Sequence, residues 1–161
     1  MEIRAAKIED VAQVVPMVRK LAKLHEEWDP AKFGYVADPG AMYQSWLSGR
    51  AKDRRSVFLV AAKEDGQVVG FIVGTVEREI PIYRLQEFGF VHDLWVEENY
   101  RNEGIARKLV MAAVEKFGEL GMTQVRCDTA TANEAARHLF ERCGFHQSVT
   151  EMLLVMPEGG S

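Results

Sequence analysis

The segment from Val96 to Ala106 combines a strand end, a turn and a helix start with residues suited to phosphate binding. The first turn of a helix carries unpaired N–H groups and the positive end of the helix dipole, and such an end binds phosphate. Gly104 lets a ligand approach the backbone closely, and the small side chain of Ala106 leaves room beside it. Arg107 and Lys108 add positive charge nearby. The segment therefore predicts a pyrophosphate-binding turn.

A second segment, Asn133–Phe145, predicts a helix that opens at Asn133 and ends at Gly144. Together the two segments resemble a known family. Arg101-x-x-Gly104-x-Ala106 is similar to the acyl-CoA-binding signature of the GNAT superfamily of N-acetyltransferases. Asn133–Phe145 is similar to that family's later helix and its Gly-Phe exit, and the order of predicted elements fits the family over about residues 2–156.

The resemblance implies direct transfer of an acetyl group from acetyl-CoA, a co-substrate, to a primary amine of a small molecule or peptide. It implies no covalent enzyme intermediate, no redox cofactor and no metal. The Val96 N–H would polarise the thioester carbonyl, and Asn133 would face the pantetheine arm. The implied cofactor-binding positions are Leu94, Trp95, Val96, Arg101, Asn102, Glu103, Gly104, Ile105, Ala106, Arg107 and Asn133.

An amine acceptor must lose a proton before it attacks, because an alkyl ammonium has a pKa of roughly 10. The candidate catalytic residues, Glu87, His92 and Asp93, lie on the strand that leads to Val96. Each residue has an alternative, non-catalytic interpretation. Glu87 could be a solvent-facing strand end, His92 a structural histidine and Asp93 a structural hydrogen-bond partner. Neighbouring strand residues point to opposite faces, so His92 and Asp93 reach one cleft only if a bulge intervenes.

Phe140 departs from the resemblance, since relatives often carry there a Tyr that protonates the leaving sulfur. Phe has no proton to give. This departure motivates an alternative function, a non-catalytic acyl-CoA-binding sensor or interaction module. Phe140 and Cys143 are both predicted to face the core, with Cys143 inert.

Acceptor specificity is expected from the loops at 28–40 and 77–86, which carry no recognisable motif. An acidic cluster could attract a cationic acceptor or simply form a solvated face, and four aromatic residues could line the acceptor pocket or pack in the core. These residues are Glu26, Glu27 and Asp29, and Trp28, Tyr35, Tyr43 and Trp46.

The hydrophobic pattern predicts an α/β (α+β) fold, a mixed and mostly antiparallel sheet flanked by helices on both faces. Asp65-Gly66 marks a hairpin. The predicted strands are 2–5, 57–62, 68–76, 87–96, 123–129 and 149–156, and the predicted helices are 8–27, kinked at Pro16, 41–50, about 104–120 and about 133–143.

Bulk composition excludes several classes. With 161 residues, one domain over 1–156 and a flexible tail over 157–161 are expected. A net charge of −4 argues against a nucleic-acid partner. Two cysteines without zinc spacing, no leader and no long apolar run favour a cytoplasmic protein with no membrane partner. A homodimer is compatible with the resemblance.

Overall fold

The central layer is a single sheet of five strands in the order β1-β2-β3-β4-β5 in the computed structural model, which describes residues 1–159. The first four strands pair antiparallel, and β5 runs parallel to β4. Gly66, in the left-handed conformation at φ 86°, makes the predicted β2–β3 hairpin. The strands are β1 (Glu2–Ala5), β2 (Ser56–Ala62), β3 (Val68–Arg78), β4 (Glu87–Val96) and β5 (Val125–Cys127).

Four helices cover the sheet: α1 (Val11–Trp28), α2 (Pro39–Lys52), α3 (Ile105–Glu119) and α4 (Glu134–Arg142). Successive side chains of β2 point to opposite faces of the sheet, and both faces are buried. Phe58 and Val60 pack with residues of α1 and α2, whereas Val57, Leu59 and Ala61 pack with residues of α3 and α4. The predicted mixed sheet with helices on both faces is confirmed.

Two helix starts differ from the prediction. Residues Ile8–Asp10 form a 3-10 turn ahead of α1. Pro39 and Gly40, predicted as loop, form the first turn of α2. Proline suits the first helical position because its missing N–H needs no partner there. The Asp38 side chain accepts from the Ala41 N–H and caps the helix.

The predicted strand over Val149–Met156 is wrong. These residues form neither helix nor strand and are exposed. A strand requires a neighbouring strand for its backbone groups, and none of the described strands pairs with this segment. The predicted tail continues through Pro157–Gly159 without secondary structure, and residues 160–161 lie outside the described residues.

Within residues 1–159, no helix combines the length and the apolar character that crossing a bilayer requires.

Candidate active site

The site lies where β4 and β5 separate. The two strands pair only from Gly89↔Val125 to Val91↔Cys127, although β4 continues to Val96. Beyond Cys127 no described strand pairs with this part of β4 on the side away from β3. A wedge therefore opens beside residues 92–96, with β4 backbone groups along one wall.

The Val96 N–H faces this wedge. Glu97 donates its N–H to the Val69 carbonyl at 2.8 Å, and an antiparallel ladder alternates between bonded and outward-facing residues. Val96 and Leu94 therefore direct their backbone groups away from β3. Arg101 Nε donates to the Val96 carbonyl at 2.9 Å, which leaves the Val96 N–H as the free group at this position.

The turn after β4 presents backbone amides at the start of α3. Asn102, at φ 64°, is the one described non-glycine residue with positive φ, and Gly104 follows at φ 78°. Gly104 precedes the first helical residue, and no side chain caps the helix. Alternating backbone conformations of this kind make a concave nest of N–H groups that binds anions.

The side chains around this turn take different roles. Arg101 stacks over Trp95 with its guanidinium carbon 4.6 Å from the ring centroid, which fixes the turn against β4. Ile105 is buried in the core, so only its backbone is open to a ligand. Glu103 and Arg107 are exposed.

Asn133, at the start of α4, caps this helix by accepting from the Ala136 N–H at 3.1 Å. Its side-chain oxygen thus serves as the helix cap, and its NH₂ group can donate to a ligand.

A bulge in β4 brings His92 and Asp93 onto the same stretch of the site. Val91 is opposite Gly74 and Asp93 is opposite Val73, so His92 is the additional residue. A bulge of this kind interrupts the alternation of side chains along a strand. The sequence required a bulge for His92 and Asp93 to reach one cleft, and β4 contains that bulge.

The His92 ring is held by a polar chain from β3. Its Nε2 lies 2.6 Å from the Thr75 hydroxyl, which donates to Glu77 Oε1 at 2.6 Å. A carboxylate only accepts, so the single Thr75 proton goes to Glu77 and the Thr75 oxygen accepts from His92 Nε2–H. This tautomer leaves His92 Nδ1 unprotonated.

Aromatic rings enclose His92 on two sides. Trp46 and Phe90 contact it edge-on, at centroid distances of 5.3 and 5.0 Å. Burial lowers the pKa of His92, although the charges of Asp93 and Glu77 oppose the shift. Because its pKa is lowered from the usual value of about 6.5, the imidazole is mostly neutral at pH 7.

The Asp93 carboxyl is enclosed beneath the site. Its Oδ2 is inaccessible to solvent and has no hydrogen-bond partner, although the residue as a whole is partly exposed. Burial raises the pKa of Asp93, and the Tyr43 hydroxyl and the His92 ring oppose the rise. Burial and the Asp93 charge together raise the pKa values of Tyr43 and Tyr35. Asp93 is thus surrounded by groups from α2 and from the loop before it.

Comparison with known proteins agrees with this geometry. The sequence model of the GNAT acetyltransferase family matches residues 21–145. The chain belongs to this family.

Two relatives illustrate the match. An uncharacterized N-acetyltransferase of Archaeoglobus fulgidus is 30% identical over 140 residues, 87% of this chain and 89% of the relative. The uncharacterized N-acetyltransferase YhfO of Bacillus subtilis is 25% identical over 147 residues, 91% of each chain. Among solved structures, a tetramutant of the BH1408 protein of Bacillus halodurans superposes with a TM-score of 0.79 at 20% identity, over 97% of this chain and 100% of the other.

In this acetyltransferase, Glu87 lies apart from the other two candidates. It pairs with Arg55 at 2.8 Å. It lies five positions before His92 on β4, a distance of about 17 Å along the strand. Phe140 is buried and contacts Phe145 edge-on at 5.1 Å, as predicted for a core residue.

Sequence reasoning missed Thr75 and Glu77. Their spacing on β3 was the available signal, because residues two apart on a strand share a face. Which polar residue of β4 they meet depends on the register of the two strands, and the sequence does not give that register.

Proposed function

We propose that this chain transfers an acetyl group from acetyl-CoA directly to a primary amine of a small molecule or peptide, with His92 as general base. The supporting observation is the β4 bulge at His92, four residues before Val96 on the same strand, with the imidazole oriented by the Thr75 hydroxyl.

Acetyl-CoA would bind along the wedge. The nest of amides from Asn102 to Ala106 suits the pyrophosphate, because it carries the positive end of the α3 dipole. The exposed Arg107 adds charge. The outward-facing backbone groups of Leu94 and Val96 suit the amides of the pantetheine arm.

The reaction then follows from the groups on β4. His92 Nδ1 takes a proton from the acceptor ammonium, directly or through one water. The free amine attacks the thioester carbonyl, and the Val96 N–H stabilises the oxyanion that forms. Collapse breaks the carbon–sulfur bond and releases the CoA thiolate. The amide nitrogen loses its second proton to solvent, and the thiolate takes one up from solvent.

Asp93 would act through His92. Its negative charge raises the pKa of the imidazole against the effect of burial, so it keeps the base strong enough to deprotonate an amine. Trp46 and Phe90 would form an aromatic wall of the acceptor site beside His92.

The test measures CoA thiol release from acetyl-CoA across polyamines, aminoglycosides, amino acids and short peptides. His92→Gln is expected to reduce kcat about 10²–10⁴-fold while acetyl-CoA still raises the melting temperature. His138→Gln, on an exposed position of α4, is the matched control. The acid limb of the wild-type pH profile is expected below pH 6.5, because burial lowers the pKa of His92. Full turnover by His92→Gln would place the base elsewhere.

The second candidate is a non-catalytic acyl-CoA-binding module, favoured by Phe140. Its buried ring supplies no acid to the departing sulfur. Stabilisation by acetyl-CoA without turnover of any amine in the panel would favour this module over the enzyme.

A further inference from the structure

One face of α2 borders the site at the β4 bulge. Tyr43, Trp46 and Arg50 lie three or four positions apart, which places them along the same side of this helix. The Tyr43 and Trp46 rings contact each other at a centroid distance of 5.6 Å, and Trp46 contacts the His92 ring at 5.3 Å. Arg50 is the charged member of this face.

Arg50 lies over Trp46, close to the proposed base. Its guanidinium carbon is 5.7 Å from the centroid of the Trp46 ring. The distances of 5.7 and 5.3 Å add to an upper limit of about 11 Å between this carbon and the centroid of the His92 ring. Burial lowers the pKa of His92, and the positive charge of Arg50 lowers it further, as a cation close by should.

The fold leaves the Arg50 guanidinium almost without partners. Its Nε is inaccessible to solvent and has no hydrogen-bond partner among the described residues. Its Nη1 donates to Asp53 Oδ2 at 3.5 Å, beyond the usual range of about 2.7–3.2 Å. Asp53 is held more tightly elsewhere, since it accepts from the Arg55 N–H and the Ser56 hydroxyl, each at 2.9 Å. Arg50 exposes 28% of its side chain, so a solute can reach it.

The charges around His92 favour an acceptor that carries one carboxylate. The charged groups that act on the ring include two acids, Asp93 and Glu77, and one cation, Arg50. The two acids suit the ammonium group of an acceptor and disfavour a dianionic phosphate. Arginine presents a planar fork of donors that matches a carboxylate. A molecule with an amine and a carboxylate satisfies both kinds of group.

We propose that Arg50 binds a carboxylate of the acceptor while His92 takes the proton from its amine, so that the acceptor is a small amino acid rather than a polyamine or an aminoglycoside. This inference rests on the proposed function and names the acceptor class for the same site. The upper limit of about 11 Å between the two groups requires a short acceptor. Four extended residues of a peptide already span about 13–14 Å, so a longer peptide cannot place its first amine and its last carboxylate together here.

The first test varies the acceptor. CoA thiol release from acetyl-CoA is measured with glycine, β-alanine, γ-aminobutyrate, ε-aminocaproate and lysine, and with the carboxamide of each. The carboxamide keeps the length of the acid and removes its charge. At least one acid is expected to exceed its carboxamide in kcat/KM by about 10–100-fold, because hydrogen bonds to a charged group are lost with the amide. The length of the best acid reports the spacing between Arg50 and the base.

The second test changes Arg50 itself. Arg50→Gln is expected to raise KM for the best acid by about 10–100-fold, to change kcat little and to leave KM for the matching carboxamide unchanged. Arg54→Gln removes the same charge from an exposed position just after α2 and is the matched control. The rise in melting temperature with acetyl-CoA reports whether each variant is folded. A purely structural role of Arg50 would affect the acid and the carboxamide alike.

The outcomes separate this inference from the proposed function. Equal kcat/KM for every acid and its carboxamide in the wild type, or equal losses for both in Arg50→Gln, would overturn carboxylate binding by Arg50. Turnover of polyamines, aminoglycosides or longer peptides with no turnover of the amino acids would overturn this inference and leave the proposed function standing. No turnover of any amine would refute the proposed function and this inference with it.

Discussion

Gly104→Ala tests the turn that we propose binds pyrophosphate. Gly104 holds φ at 78° immediately before α3. A Cβ added there would meet no atom within 4 Å, so the cost arises from backbone conformation alone. A left-handed conformation costs an L-residue about 1–2 kcal/mol. For a domain of this size that corresponds to a fall in melting temperature of roughly 2–8 °C.

The chain offers a matched control in the same helix. Gly118 also has open space around it, but it has no positive φ and lies within α3. Gly118→Ala therefore removes a helix-disfavouring residue and is expected to raise the free energy of unfolding by up to about 1 kcal/mol. The two substitutions add the same methyl group with opposite expected signs.

The assay is urea denaturation of both variants, with and without acetyl-CoA. Gly104→Ala should lower stability and also reduce the stabilisation by acetyl-CoA, because it adds a methyl group beside the backbone amides proposed to bind the pyrophosphate. Gly118→Ala should leave the acetyl-CoA effect unchanged. Two results would contradict the reasoning: a Gly104→Ala variant as stable as the wild type, or equal acetyl-CoA effects in the two variants.

Thr75→Val removes the hydroxyl between Glu77 and His92, and the loss of about one hydrogen bond, about 1 kcal/mol, predicts a roughly fivefold lower kcat/KM in the thiol-release assay. Thr75→Ser keeps the hydroxyl, and its kcat/KM should stay near that of the wild type. Equal losses of kcat/KM in both variants would refute the role of the polar chain from Glu77 to His92. Asp10 is 2% exposed and accepts two bonds from Arg4, which hold its pKa below the usual value. Because the folded pKa is lowered, this stabilisation is present above about pH 4 and is lost as pH falls through the folded pKa. Asp10→Asn should lower the free energy of unfolding by about 2 kcal/mol at pH 7 and remove this acid-dependent loss; unchanged urea curves would contradict it.

The sequence by itself determined the fold class and the position of the turn that we propose binds pyrophosphate. β4 was predicted at its observed bounds, because a long apolar run ends at the turn residues after Val96. The glycine at 104 was informative because the observed positive φ is a conformation that other residues disfavour. Local signals of this kind depend on neighbours in sequence, so they can be interpreted without the rest of the chain.

Tertiary structure decided which candidates share the site. The register between β3 and β4 places the bulge at His92, joins it to Thr75 and Glu77, and leaves Glu87 paired with Arg55. No local sequence pattern predicts a register shift, because the shift results from packing both strands at once. Phe117 fits against Gly74 and Gly89 there, at positions where a Cβ would come within 2.8 Å of its ring.

The last predicted strand shows the same limit of prediction from sequence. Residues 149–156 have the composition of a strand, and the sequence alone determines that composition. A strand exists only where another edge accepts its hydrogen bonds. Whether such an edge lies within the chain is a property of the whole fold, and in this structure β5 and the segment remain unpaired with each other.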